Sequence, residues 1–174
     1  WIHWLLKENG LKILRINNKK YIYLISPLKI KKSFYNDLIE VLKYKKVSFF
    51  QLRLKRENFK KKLSIGKKIK RICKKYSVKF LINDDVNLSK KLDADGCHLG
   101  QKDMSIFEAR KLIGKKIIGI TCHNSIKLAN IAAKNKADYI AFGAFYSSKT
   151  KKVKYRAPIQ ILKRVRKIIK TPIV

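Results

Sequence analysis

Two rhythms alternate along this chain. Short apolar runs recur at residues 21–26, 47–54, 78–82, 95–99, 116–120 and 138–142. Between them, apolar residues repeat every three or four positions, the period of one helix face. The runs predict strands and the longer stretches predict helices. One helix is expected over 33–44, with Ser33 as its N-cap and Phe34, Leu38, Ile39 and Leu42 on one face. Others are expected over 59–76, with Leu63, Ile69 and Ile72 inward, and over 86–92, 104–113 and 125–134, the last with an Ala129, Ala132, Ala133 face. Pro158 opens a final helix to about residue 169, since a first helical turn tolerates proline. Residues 2–8 predict a short helix stopped by Gly10, and the basic segment up to residue 20 carries no pattern. Residues 171–174 read as the start of a further strand.

Strand followed by helix, repeated, implies a parallel sheet with helical crossovers. Residues 78–82 are apolar throughout, as in a strand covered on both faces. No Gly-x-Gly-x-x-Gly turn follows a strand, which disfavours a dinucleotide-binding Rossmann domain. The expected fold is α/β, a TIM (β/α)8 barrel over 21–174, with 1–20 as an N-terminal helical extension. Such barrels typically need about 250 residues, and about 200 at the short end. Six βα units are used by residue 169, so the barrel is expected to be incomplete, with strand seven only begun. On that expectation the 174-residue chain alone is poorly soluble and inactive, and the missing starting Met points the same way at the other end.

Composition narrows the classes. At 46% hydrophobic the chain is globular, and no apolar run is long enough to span a membrane. Cys73, Cys97 and Cys122 are few, odd in number and widely spaced, which suits a reducing cytoplasm rather than a disulfide framework. Cys97-His98 and Cys122-His123 do not suggest zinc, because neighbours on a strand point to opposite faces. The net charge of +33, from 44 Lys+Arg against 11 Asp+Glu, is the signature of a polyanion binder when it is concentrated. Here the lysines coat nearly every helix, so a solvated surface explains them and nucleic acid is not an expected partner. The remaining acids then stand out: Asp84-Asp85, and several between residues 93 and 103.

The strand ends carry the candidate chemistry. Gln51, Arg53 and Lys55 alternate with Leu52 and Leu54, so three polar residues share a face that is either a barrel interior or a solvated edge. Asn83-Asp84 ends the 78–82 strand. Asp95-Gly96-Cys97-His98-Leu99-Gly100-Gln101-Lys102-Asp103 gathers an imidazole, an amide and a carboxylate at one strand end, although Asp103 also suits a helix N-cap. Thr121 ends the next strand. Gly143 leads into Ser148, Thr150 and Lys151, a loop that reads either as a phosphate cradle or as a plain basic loop.

Taken together, Gln51-x-Arg53-x-Lys55, Asn83-Asp84, Asp95-Gly96-x-His98-x-Gly100-Gln101-x-Asp103, Ile118-Gly119-x-Thr121 and Asp138-Tyr139-x-x-x-Gly143 through Thr150-Lys151 resemble the thiamine phosphate synthase family. That resemblance implies a (β/α)8 barrel. It implies a transferase joining 4-amino-2-methyl-5-hydroxymethylpyrimidine diphosphate to thiazole phosphate, releasing pyrophosphate and forming thiamine phosphate. It implies that Asp84 and Asp103 hold Mg2+, that Arg53, Lys55 and Lys151 serve the diphosphate catalytically, and that Gln51, Asn83 and Thr121 line the substrate. Ser148, Thr150 and Lys151 would contact the diphosphate and the thiazole side, with His98 and Gln101 in support. The expected partners are these small molecules, with no membrane, and a homo-oligomer is compatible. The loop after Gly143 departs from the family's usual Gly-Pro-x-Phe-x-Thr-x-Thr-Lys. The alternatives are a thiazole tautomerase-like barrel, which needs no diphosphate and metal set, and a non-catalytic lysine-rich polyanion-binding barrel.

Overall fold

The computed structural model describes residues 12–16, 19–146 and 155–174. The first strand, β1 (Lys12–Ile16), pairs antiparallel with β2 (Lys19–Ile25). From β2 onward every pairing is parallel and sequential: β3 (Val47–Leu52), β4 (Lys79–Asn83), β5 (Gly96–Leu99), β6 (Ile117–His123) and β7 (Tyr139–Phe142). Helices α1 (Phe34–Lys43), α2 (Phe59–Lys75), α3 (Val86–Lys91), α4 (Ile106–Ile113) and α5 (Ile126–Lys134) form the crossovers, and α6 (Gln160–Arg166) follows β7. Ile173 then bridges Ile140 in parallel, as expected of a further strand.

The six parallel strands curl. On a flat sheet β2 and β7, five intervals apart, would be about 24 Å from each other. Instead the hydroxyls of Tyr23 and Tyr139, one on each of those strands, are 2.7 Å apart. The sheet is therefore a half-barrel with a concave and a convex face. Two apolar clusters fill the convex side beneath the helices. One runs from Leu24 to Ala94 and includes Leu52, Leu54 and Ile69; the other runs from Val86 to Ile173. Leu52 and Leu54 thus pack outward, and Gln51 lies on the opposite, concave face, as the alternation requires. Cys97 is buried in the convex cluster while the His98 ring reaches concave partners, so the two do face apart.

Several local expectations change. Lys12–Ile16 is a strand where the sequence showed no pattern, and the segment 2–8 lies outside the described residues. Ser33 is helical and makes no side-chain cap. Asp103 does not cap α4. Ser105 does, in a reciprocal capping box with Glu108. Asn58, Asp85 and Ser125 cap α2, α3 and α5 by accepting from Lys61, Leu88 and Leu128 N–H groups. α6 begins two residues after Pro158 and ends at Arg166.

Candidate functional site

Backbone conformation already separates the two ends of the sheet. Among the described residues, Lys45, Ser77, Asp93 and Lys136 have positive φ where helices end, a common way to leave a helix. Asp84 (φ 64°) and His123 (φ 53°) have it at strand ends instead. Asp tolerates the left-handed region better than most residues. The Asp84 N–H donates to the His98 carbonyl at 2.8 Å, which ties the end of β4 to β5. At the end of β6 the pairing with β7 slips between Thr121 and His123. Such irregularities re-aim side chains at sheet rims.

Asp84 and Asp103 meet at this end. Lys55 Nζ lies 2.9 Å from Asp84 Oδ2. The Gly100 N–H donates to Asp103 Oδ2 at 2.6 Å, holding the turn after β5 closed. Partial burial raises the Asp103 carboxyl above the ordinary carboxylate range. The Asp84 charge and an Asp84 side-chain hydrogen bond push it the same way, against the Gly100 N–H and Lys55. Asp84 and Asp103 adjoin each other, with Lys55 paired to Asp84, and together they concentrate negative charge. An all-oxygen pair of this kind suits a hard divalent cation whose other ligands are water and phosphate oxygens. Among the described residues no larger group of His, Cys, Asp and Glu gathers around a metal position. A cleft of about 450 Å³ opens here, lined by Leu54, Lys55, Lys62, Asn83, Asp84 and Met104 among others.

Beside the carboxylates runs a chain of polar side chains across the concave face. Gln51 Nε2 donates to Asn83 Oδ1 at 2.6 Å, and Tyr23 Oη donates to Gln51 Oε1 at 3.3 Å. Tyr23 meets Tyr139 at 2.7 Å, and Tyr139 meets His98 Nδ1 at 2.8 Å. His98 Nε2 meets Thr121 Oγ1 at 2.7 Å, and Gln101 Nε2 donates to the Thr121 carbonyl at 2.6 Å. The structure therefore brings Gln51, Asn83, His98, Gln101 and Thr121 into one network, with Asp84 and Asp103 adjoining it. Arg53 follows the end of β3, half-buried, and its backbone N–H donates to Ser26 Oγ at 2.8 Å. Ser148, Thr150 and Lys151 lie outside the described residues.

Sequence reasoning missed Tyr23 and gave no role to Tyr139, which it quoted only within the Asp138-Tyr139 motif. Both sit in short apolar strands where a tyrosine reads as one more core residue. The available signal was Gly119, since a glycine inside a strand marks a close approach. A Cβ there would lie 1.9 Å from Tyr139 Cζ, so only glycine leaves room for that ring.

Known proteins resemble this arrangement over most of its length. The family model for thiamine monophosphate synthase matches residues 22–174. The thiamine-phosphate synthase of Pelagibacter ubique is 64% identical over 158 residues, covering 90% of this chain and 76% of that protein. That of Nitrosomonas eutropha is 43% identical over 129 residues, covering 74% of this chain and 61% of its own length. The solved thiamine phosphate pyrophosphorylase from Pyrococcus furiosus superposes with a TM-score of 0.74 at 26% identity, over 86% of this chain and 70% of that one. The match takes in the half-barrel and the strand ends that carry the carboxylate pair: this chain belongs to the thiamine monophosphate synthase family.

Proposed function

We propose that this chain provides the pyrimidine-diphosphate half of a thiamine-phosphate synthase, a transferase of thiamine biosynthesis. The reaction joins 4-amino-2-methyl-5-hydroxymethylpyrimidine diphosphate to thiazole phosphate and releases pyrophosphate. We read the curled sheet as strands one to six of a (β/α)8 barrel, with Ile173 in the seventh, and the three free cysteines as suited to the cytoplasm. The observation that carries the proposal is the Asp84–Asp103 pair beside Lys55, at the end of the sheet where barrel enzymes place their chemistry.

Each group then has a task. Asp84 and Asp103 would hold Mg2+, which when bound neutralises the charge of a leaving diphosphate. Arg53 and Lys55 lie on the same strand end and would take up the charge that grows on the leaving oxygens. Lys55 has a partner in Asp84 and would exchange it for, or share it with, the diphosphate. Gln51 and Asn83, locked to each other, would orient the pyrimidine. The Tyr23–Tyr139–His98 chain fills the floor beneath them and excludes water from it. Lys151, with Thr150 and Ser148, would complete the diphosphate and thiazole contacts.

Calorimetric titration of the pyrimidine diphosphate into the protein tests this. We expect binding that needs Mg2+ and is lost in Asp103→Ala. Binding of equal strength in excess chelator would count against the metal assignment. No pyrophosphate release by a protein of the relatives' full length, with both substrates and Mg2+ present, would count against the reaction.

A further inference from the structure

The polar chain across the concave face has a direction, and two residues with no assigned role set it. Tyr23 and Tyr139 are buried, and burial pushes both phenols well above their ordinary range, so each keeps one proton to donate. Gln51 gives its Nε2 hydrogen to Asn83, which leaves Oε1 facing Tyr23. A carbonyl oxygen only accepts, so the Tyr23 proton points to Gln51. At the Tyr23–Tyr139 contact the donor must then be Tyr139. With its one proton committed there, Tyr139 accepts from His98 Nδ1. Nε2 of a neutral ring is then the acceptor, and the Thr121 hydroxyl donates to it.

We infer that Tyr23 and Tyr139 are positioning residues that hold His98 in its Nδ1–H tautomer and thereby fix which hydrogen-bonding groups the site offers a ligand. Two consequences follow from the geometry. Asn83 lines the cleft with its carbonyl committed to Gln51, which leaves its Nδ2 hydrogens as what it has to offer a ligand. Thr121 has its proton committed to His98 and presents only lone pairs, which suit a ligand N–H better than a diphosphate oxygen. His98 serves as a link in the chain rather than as a base. Tyr139 is seated for this by Gly119, and its ring stacks on His98 at 5.5 Å between centroids.

The meaning for substrate rests on the function proposed above, whereas the proton order stands on hydrogen bonding alone. Its test therefore needs no turnover. The full chain, labelled with 15N-histidine, is examined at neutral pH by long-range proton–nitrogen correlation, with His98 assigned by loss of its signals in His98→Gln. We expect Nδ1 protonated and Nε2 bare, with that form in excess by about fivefold or more, the net worth of one hydrogen bond. Tyr23→Phe is the discriminating variant, since it lies two hydrogen bonds from the ring. It frees the Tyr139 proton to turn toward His98, and the histidine proton should move to Nε2. Tyr139→Phe should do the same by removing the acceptor at Nδ1. A proton on Nε2 in the unmodified chain, or an Nδ1–H ring unchanged by Tyr23→Phe, would overturn the inference. A failed thiamine-phosphate assay would leave the tautomer result standing, and the reverse also holds.

Discussion

The carboxylates at the two ends of this sheet have different neighbours. Where strands begin, every acid is answered. Asp95 accepts from Lys79 and from the Phe80 N–H. Asp138 accepts from Arg110 and from the Ile118 N–H, and Arg110 also donates to three carbonyls, which joins α4, β6 and β7. Asp93 pairs with Lys70 and Lys116. Where strands end, Asp84 and Asp103 crowd each other with one lysine nearby. The Asp93 carboxyl is pulled down to about 2 by its lysines, while the Asp103 carboxyl is pushed up. In a chain this basic, two carboxylates left facing each other are poorly explained by stability. The first group holds the sheet together, and the second suits something that arrives with positive charge.

Substitutions that separate turnover from stability test this contrast most sharply. Asp103→Asn keeps an acceptor for the Gly100 N–H and removes the charge. In a protein of the relatives' full length, turnover with Mg2+ should fall by roughly 10³-fold, with the melting temperature changed by a few degrees at most. Arg53→Met should cut turnover by roughly 10²-fold, the size of a lost transition-state charge contact, again with little change in melting. A large drop in melting temperature with turnover intact would make Arg53 structural.

At the other end the pattern should invert. Asp138→Ala leaves Arg110 and the Ile118 N–H without their shared acceptor. Unfolding by urea should show a loss of about 2 kcal/mol, with turnover per folded molecule unchanged. The smallest effect concerns pH. A carboxyl lowered in the folded state stabilises above its unfolded value, near 3.9, and that stabilisation is lost as pH falls toward about 2. Asp93 is exposed, so the gain is modest. Wild type should melt slightly above Asp93→Asn at pH 5, and the two should converge near pH 2.

Much of this contrast could be read in the sequence. Continuous apolar runs and helical spacing located the six parallel strands and their crossovers, because burial on the convex side imposes those periods. The polar alternation through Gln51, Arg53 and Lys55 pointed to the concave face, where the structure places Gln51. The run of acids from residue 84 to 103 was visible as a cluster but not as two groups. Asp93 and Asp95 lie at one end of the sheet and Asp84 and Asp103 at the other, and only the paired strands reveal which. β1 went unread although Ile13, Leu14 and Ile16 ahead of Asn17-Asn18 suit the first strand of a hairpin. Asp103 and Ser105 both suit an N-cap locally, and the Gly100 turn decides between them. Tyr23 and Tyr139 were hidden by their own hydrophobicity, since a buried hydroxyl reveals its role only through partners distant in sequence.

The most direct measurement of the contrast is a Mn2+ relaxation titration in the presence of pyrophosphate, on wild type, Asp84→Asn, Asp103→Asn and Asp138→Asn. We predict that wild type and Asp138→Asn bind the ion alike, and that either substitution at the strand ends weakens binding by tenfold or more, about 1.4 kcal/mol. Equal affinity in all four proteins would contradict the assignment of Asp84 and Asp103 as the metal-holding pair.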